Sequence, residues 1–357
     1  MMSAFTYDVL PGRVVFGPGV ARTRLRVEAD AFDARRILLI AAESEADLAR
    51  DLCAPFADRI AVTFSEVRPH VPIEVAERAR EAAAGADLML CVGGGSTTGT
   101  AKAVALTTGL PIIAVPTTYA GSEVTPVWGL TEKSRKTTGT DPRVLPRTVV
   151  YDPELTRTLP VELSVASGLN AMAHCVEAFW APRRNPVSSA VAEDGIRHLA
   201  AGLPSVAADG ADSEARGELL LGAYLAGSAF AAAGSGLHHK ICHVLGGAFD
   251  LPHARTHAIV LPHVLAFNAP YAPEAVSRIA SALDSPEPAQ GLRRLGEKLG
   301  VPAGLRDLGL RENDTETVLD DILALAPADN PRPVTAEGIS RLLRAAWAGT
   351  DTAKETT

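Results

Sequence analysis

Five of the nine histidines of this chain fall within twenty residues, in LHHKICHVLGGAFDLPHARTH at 237–257. His239 and His243 are four apart, as are Asn170 and His174 in the earlier segment SGLNAMAH, so on helices each pair shares one face. A lone histidine is usually a satisfied structural residue, whereas a dense set on helix faces is the arrangement of a metal or proton-transfer site. The residue types argue against metal. A hard or borderline cation held by several imidazoles normally also takes a carboxylate, and position 170 offers only a neutral amide.

Two further segments carry chemistry of another kind. Gly93, Gly94, Gly95, Ser96 and Thr97 follow the apolar run LMLCV and precede the helix-like TGTAKAVALTTG. Glycines let a backbone approach a pyrophosphate, and the amides of a helix start hold its charge. The pattern is not GxGxxG, and a plain tight turn is the alternative reading. The second segment, PTTYAGSE at 116–123, follows the apolar run PIIAV. Its Thr117, Thr118 and Ser122 are placed to hydrogen-bond ribose, phosphate or the nicotinamide amide at the carboxyl end of a sheet, or else to cap a polar loop.

The elements that must position these residues differ between the two halves. RILLIAA (36–42), DLMLCVGGG (87–95) and LPIIAVPTT (110–118) are short apolar runs, and VPIEVAERAREAAAGA (71–86) between the first two is helix-forming. Apolar runs alternating with helices predict a parallel sheet covered on both faces. From about Ser164 onward the texture becomes long Ala- and Leu-rich segments with helical spacing and proline breaks, such as 217–234. The expected fold is therefore an α/β Rossmann-like dinucleotide domain over 1–160 and an all-α catalytic domain over 161–357. The prolines of YDPELTRTLP mark the boundary, where a cleft is expected.

The length calls for two domains, and 47% hydrophobic with 21% charged residues suits a chain that buries large cores. A net charge of -8 argues against nucleic acid or an anionic membrane as the main partner. Cys53, Cys91, Cys175 and Cys242 lie far apart without a CxxC pair, which points to reduced thiols. With neither a leader pattern at the start nor a run of roughly 18 apolar residues, a cytoplasmic protein is expected.

Taken together, GGGSTTGTAK, PTTYAGSEVTPVWGLTE, SGLNAMAH, LHHKICHVLGGAF and LPHARTHAIVLPH resemble, in order and spacing, the iron-containing (group III) alcohol dehydrogenases, over nearly the whole chain. RVVFG, TTYAGSE, HHKxCH and NPRPVT (330–335) are similar to the maleylacetate reductase branch of that family. The resemblance implies the dehydroquinate synthase-like fold, a homodimer, and NAD(P)H-dependent reduction of the enone double bond of maleylacetate, a dicarboxylate, in aromatic catabolism. A metal-dependent (Fe/Zn) alcohol dehydrogenase, or a reductase of a related unsaturated oxo acid, is the alternative. The family's metal ligands, an aspartate and three histidines, correspond to Asn170, His174, His239 and His253, so the aspartate is missing. Gly99 and Val127 also depart from the alcohol dehydrogenase pattern, and Arg255 stands where a glutamate is expected in PHAETH. Ala42 stands where an aspartate would bind the ribose 2'-hydroxyl, which leaves both NADH and NADPH open. The implied catalytic set is His243, His253, His239 and His174. Tyr119, His238, Lys240 and Asn170 are expected against the substrate, and Lys136 joins the cofactor-binding residues. A metal is not expected; were one present, His174, His239 and His253 would hold it.

Overall fold

In the computed structural model the described residues are 5–7, 10, 12–132 and 135–350, with the side chains of Arg135 and Lys136 outside that set. The chain divides into two compact units. One holds Val9–Pro160 with Ala211–Leu220, and the other holds Val161–Gly210 with Leu221 onward. Residues 211–220 thus return to the α/β unit, which a single cut after residue 160 does not express.

The α/β unit runs β1 (Arg13–Phe16), α1 (Val20–Asp30), β2 (Ile37–Ile40), α2 (Ala46–Cys53), β3 (Ile60–Phe64), α3 (Ile73–Ala82), β4 (Leu88–Gly93), α4 (Gly95–Thr108), β5 (Ile112–Pro116), β6 (Val127–Glu132), β7 (Arg135–Thr140) and β8 (Thr148–Tyr151). Six strands form one sheet in the order β1-β8-β5-β4-β2-β3, with every pairing parallel. All residues of β2, β4 and β5 are buried, because helices cover both faces and the strands ILLI, LMLCVG and IIAVP offer apolar side chains to each. From β2 the chain moves outward to β3, and from β4 it moves the other way to β5. The order therefore reverses between β2 and β4, and the crevice beyond their carboxyl ends is where open α/β sheets bind ligands. β6 and β7 form an antiparallel hairpin outside the sheet.

The helical unit comprises α5 (Val161–Ala178), α6 (Pro186–Ala208), the part of α7 (Ser213–Ala233) from Leu221 onward, α8 (Leu237–Phe249), α9 (His253–Asn268), α10 (Pro273–Ala282), α11 (Pro288–Lys298), α12 (Asp314–Thr317), α13 (Leu319–Leu325) and α14 (Ala336–Ala348). Its core gathers Leu237, Ile241, Leu245, Val260, Val264, Ile322, Ile339 and Leu343, all fully buried. Helix α5 packs on α6 and α9, and α8 packs on α9. The α5–α6 approach depends on Gly195, where a Cβ would fall 2.7 Å from Cys175 Sγ. Asn185 starts α6 with a capping box, accepting from the amides of Val187 and Ser188 while Ser188 answers the Asn185 amide. The four cysteines are free and buried. Among the described residues no single helix is long and apolar enough to cross a membrane.

Candidate functional site

The first candidate site lies in the α/β unit, where β4 turns into α4. Gly93 adopts φ +151°, and a Cβ there would fall 2.3 Å from Glu45 Oε2 and 2.4 Å from Thr97 Oγ1, so the turn closes only with glycine. No side chain caps α4. Its first amides are left for a ligand, and the positive end of the helix favours an anion there. Gly94, Gly95 and Ser96 are half-buried, while Thr97 is buried.

The neighbouring loop after β5 is held from beneath. Lys102 on α4, fully buried, donates to Ser122 O (2.6 Å), Thr125 O (2.8 Å) and Val127 O (2.9 Å), and reaches the hydroxyls of Ser122 and Thr125. Burial pushes the Lys102 ammonium down to about 7, against the pull of the Glu123 carboxyl. Burial likewise pushes Glu123 up, opposed first by the Tyr151 hydroxyl that donates to it at 2.6 Å. Thr117 donates to Glu45 Oε1 at 2.5 Å, which brings a carboxylate from the start of α2 into the crevice between β2, β4 and β5. Thr118 is half-buried beside the turn.

The second candidate site lies wholly within the helical unit, where α5, α7, α8 and α9 each contribute. The His174 ring on α5 stacks on His239 of α8 at 5.0 Å, with Phe230 of α7 within 4.8 and 5.1 Å of the two. His257 of α9 lies 4.8 Å from His239 and 4.3 Å from His253, and His253 stacks on His243 at 6.0 Å. Exposure is graded. His243 and His253 are exposed, Asn170, His174 and Lys240 are half-buried, and His238, His239 and His257 are buried.

Two of the buried rings are pinned from behind. His239 Nδ1 hydrogen-bonds the buried carboxylate of Glu177, whose Oε1 also accepts from the amides of His238 (2.5 Å) and His239 (3.3 Å) at the start of α8. His238 Nε2 and His257 Nδ1 share a hydrogen bond of 3.0 Å. On the other side of these rings, His239 Nε2, His257 Nε2, His174 Nδ1 and Asn170 Oδ1 are buried without a hydrogen-bond partner. Unpartnered buried polar atoms are costly, so four in one cluster point to a site that a ligand completes. Burial, and then the neighbouring imidazoles, push His174 and His257 well below the usual histidine value. His239 follows for the same causes, with the Lys240 ammonium adding to them. His238 is pushed down to about 3 by burial, against the pull of Glu177. Burial thus favours the neutral imidazole at His174, His238, His239 and His257. Burial pushes the Glu177 carboxyl up, opposed by His238 and the backbone amides.

The donor set departs from the aspartate-and-three-histidine pattern in two respects. The carboxylate of Glu177 is spent behind His239, and position 170 supplies an amide, so the inward donors carry no negative charge. Among the described residues, the three donors that come within 4.8 Å of one another are His238, Cys242 and His257, not His174, His239 and His253. In that trio the two imidazoles already bond to each other, and burial holds the Cys242 thiol well above its usual value and therefore protonated. The three side chains are thus already engaged with one another.

Two residues expected against the substrate have protein partners here. Tyr119 is fully buried, and its hydroxyl accepts from the buried Arg216 on α7 at 3.0 Å, which places it in the support of the loop. His238 is fully buried with Nε2 committed to His257, so it stands behind the cluster. Lys136 lies in β7, paired with Thr131, and its side chain is outside the described residues. Arg255 makes an ion pair with Glu162 near the start of α5. Gly99 packs on Val71, where a Cβ would fall 2.8 Å from a methyl group. Glu177, Glu45 and Lys102 were not among the expected residues. The one signal for Glu177 was its place three positions after His174, on the neighbouring helix face.

Comparison with known proteins bears on both halves. A family model for iron-containing alcohol dehydrogenase matches residues 11–153, and one for the C-terminal part of the Fe-containing alcohol dehydrogenase family matches 164–347. A maleylacetate reductase of Sphingobium indicum is 48% identical over 97% of this chain and 98% of its own length. The crystal structure of an iron-containing alcohol dehydrogenase of Corynebacterium glutamicum superposes with TM-score 0.96 at 52% identity, covering 99% of each chain. That of a maleylacetate reductase of Rhizobium sp. strain MTP-10005 gives TM-score 0.94 at 42% identity over 98% of this chain and 99% of the other. With both family models matched across most of its length, this chain belongs to the iron-containing alcohol dehydrogenase family of oxidoreductases.

Proposed function

We propose that this enzyme uses NADH or NADPH to reduce the carbon–carbon double bond of maleylacetate, giving 3-oxoadipate in the catabolism of aromatic compounds, without a resident metal. The observation that carries the reading is the set of neutral, unpartnered polar atoms that Asn170, His174, His239 and His257 bury in one cluster, in a chain that is 48% identical over 97% of its length to a maleylacetate reductase. In an enone conjugated to a ketone, hydride adds to carbon and the charge spreads into an enolate, which neutral hydrogen-bond donors can stabilise. Reduction of a plain carbonyl puts the full charge on one oxygen, where a cation is most useful.

The chain's own groups supply the rest. The amides at the start of α4 fit a pyrophosphate, and Thr118 and Ser122 line the loop beside them. Ala42 leaves no carboxylate directly after β2, so neither nicotinamide cofactor is excluded. Lys240 provides a cation for a substrate carboxylate, and the exposed His243 and His253 are placed to exchange a proton with solvent. The family resemblance carries a homodimer and a cytoplasmic setting as parts of the same proposal.

One observation favours a second reading. A carboxylate behind an imidazole, as Glu177 stands behind His239, is the usual support of a metal-binding histidine. A metal-dependent dehydrogenase would hold its cation on His174, His239 and His253. The deciding experiment follows nicotinamide oxidation with freshly generated maleylacetate, with and without a chelator. Rapid, chelator-resistant oxidation is expected; inactivity with maleylacetate but metal-dependent turnover of simple alcohols selects the second reading.

A further inference from the structure

His257 sits among four other histidine rings, within 4.8 Å of His238 and of His239, 4.3 Å of His253 and 6.4 Å of His243. It is fully buried, one nitrogen is held by His238, and the other is unpartnered. Resting on the function proposed above, we infer that His257 is a catalytic residue whose Nε2–H donates to the ketone oxygen of the substrate as that oxygen becomes an enolate.

The argument turns on which ring can donate. A neutral imidazole carries one N–H, and the partner of one nitrogen fixes what the other presents. With Glu177 accepting from Nδ1 of His239, that ring presents a lone pair at Nε2 and cannot donate. His257 stands the other way round when His238 gives its Nε2–H to His257 Nδ1, because the hydrogen of His257 then sits on Nε2. The sulfur of Cys242 lies 4.0 Å from His238 Nδ1 and 3.8 Å from Nε2, and its thiol, donating to Nδ1, would leave Nε2 to carry the hydrogen. Cys242, His238 and His257 thus form a relay that sets a tautomer, with Cys242 and His238 as positioning residues. His243 and His253 are exposed, so their hydrogen bonds compete with water, whereas a buried donor is oriented before the reaction begins.

In the step so served, the hydride leaves the dihydronicotinamide ring and forms a C–H bond at the alkene carbon β to the ketone. The alkene pair moves to the bond between the α-carbon and the carbonyl carbon, and the carbonyl pair moves to oxygen. NADH becomes NAD+ and the substrate becomes the enolate. Collapse of the enolate takes one proton onto the α-carbon, delivered from solvent. His257 keeps its N–H throughout and acts by hydrogen bonding alone.

The test compares His257→Phe, which keeps the ring but removes the donor, with His257→Gln, which keeps a donor. Maleylacetate kcat should fall about 100-fold in the Phe variant with the NADH KM unchanged, and Gln should restore at least about tenfold of that loss. A Phe variant within about threefold of wild-type kcat, or a Gln variant no better than Phe, overturns the inference. Nitrogen NMR of the wild-type imidazoles reads the same claim without substitution, so a variant that fails to fold leaves the answer intact. The hydrogen is expected on Nε2 of His257, and a spectrum placing it on Nδ1 overturns the assignment. Wild-type enzyme that leaves NADH unoxidised with maleylacetate defeats the proposed function instead, while the tautomer measurement still judges His257.

Discussion

Replacing Glu177 by Ala removes the acceptor of three buried donors at once: the His238 amide, the His239 amide and His239 Nδ1. Each such donor left unpaired costs about 1–3 kcal/mol, and water entering the vacated space moves the sum toward the lower end. The helical unit should lose about 3–5 kcal/mol, which at its size corresponds to a fall in melting temperature of roughly 10 °C. Glu177→Gln keeps one oxygen for the two amides and should lose only about 1–2 kcal/mol, because the remaining mismatch is confined to the imidazole. Urea unfolding followed by far-UV circular dichroism, with thermal melts as a second probe, measures both variants against wild type. An Ala variant within about 1 kcal/mol of wild type, or a Gln variant less stable than the Ala variant, would refute this account of how the start of α8 and the His239 ring are held.

Two further outcomes follow from the same structure. His238, His239 and His257 stay neutral when folded, since burial lowers each of them, but in the unfolded chain they take up protons below about pH 6.5. The unfolded state then binds more protons, so stability is greatest above that pH and should fall by about 1 kcal/mol per histidine per unit as the pH drops toward 5. A urea midpoint that stays flat between pH 7 and 5 contradicts this. Gly93→Ala forces a Cβ to within 2.3 Å of Glu45 Oε2 at a φ of +151°, and the displaced turn should weaken NADH binding at least about tenfold, read by nicotinamide fluorescence titration. Unchanged NADH affinity would show that the turn does not carry the dinucleotide.

The parallel sheet was legible because β2, β4 and β5 are buried on both faces and so read as unbroken apolar runs. The β6–β7 hairpin was not, since its strands VWGLTE and RKTTGT lack a sustained apolar alternation and pair only with each other. Residues 211–220 were assigned by their helical texture, yet Arg216 reaches Tyr119, 97 positions earlier, and the Leu159 carbonyl, and such contacts leave no local pattern. That long-range bond is also why Tyr119 reads as a ligand-facing tyrosine from its loop alone. His257 follows His253 by four, the same spacing that marked the other pairs, but spacing places a ring on a face without showing which nitrogen is already spoken for. NPRPVT, similar to one branch of the family, proves architectural: Asn330 and Asn268 exchange amide hydrogen bonds, and Arg332 lies 4.4 Å over the Phe267 ring.

The account centres on hydride reaching an alkene carbon while the ketone survives. NADH deuterated at the transferred position, turned over with maleylacetate and followed by mass spectrometry and proton NMR of the product, tests this most directly. The account predicts 3-oxoadipate carrying one deuterium on the methylene β to the intact ketone; a hydroxy acid with deuterium on its carbinol carbon would contradict it and mark the enzyme as a carbonyl reductase.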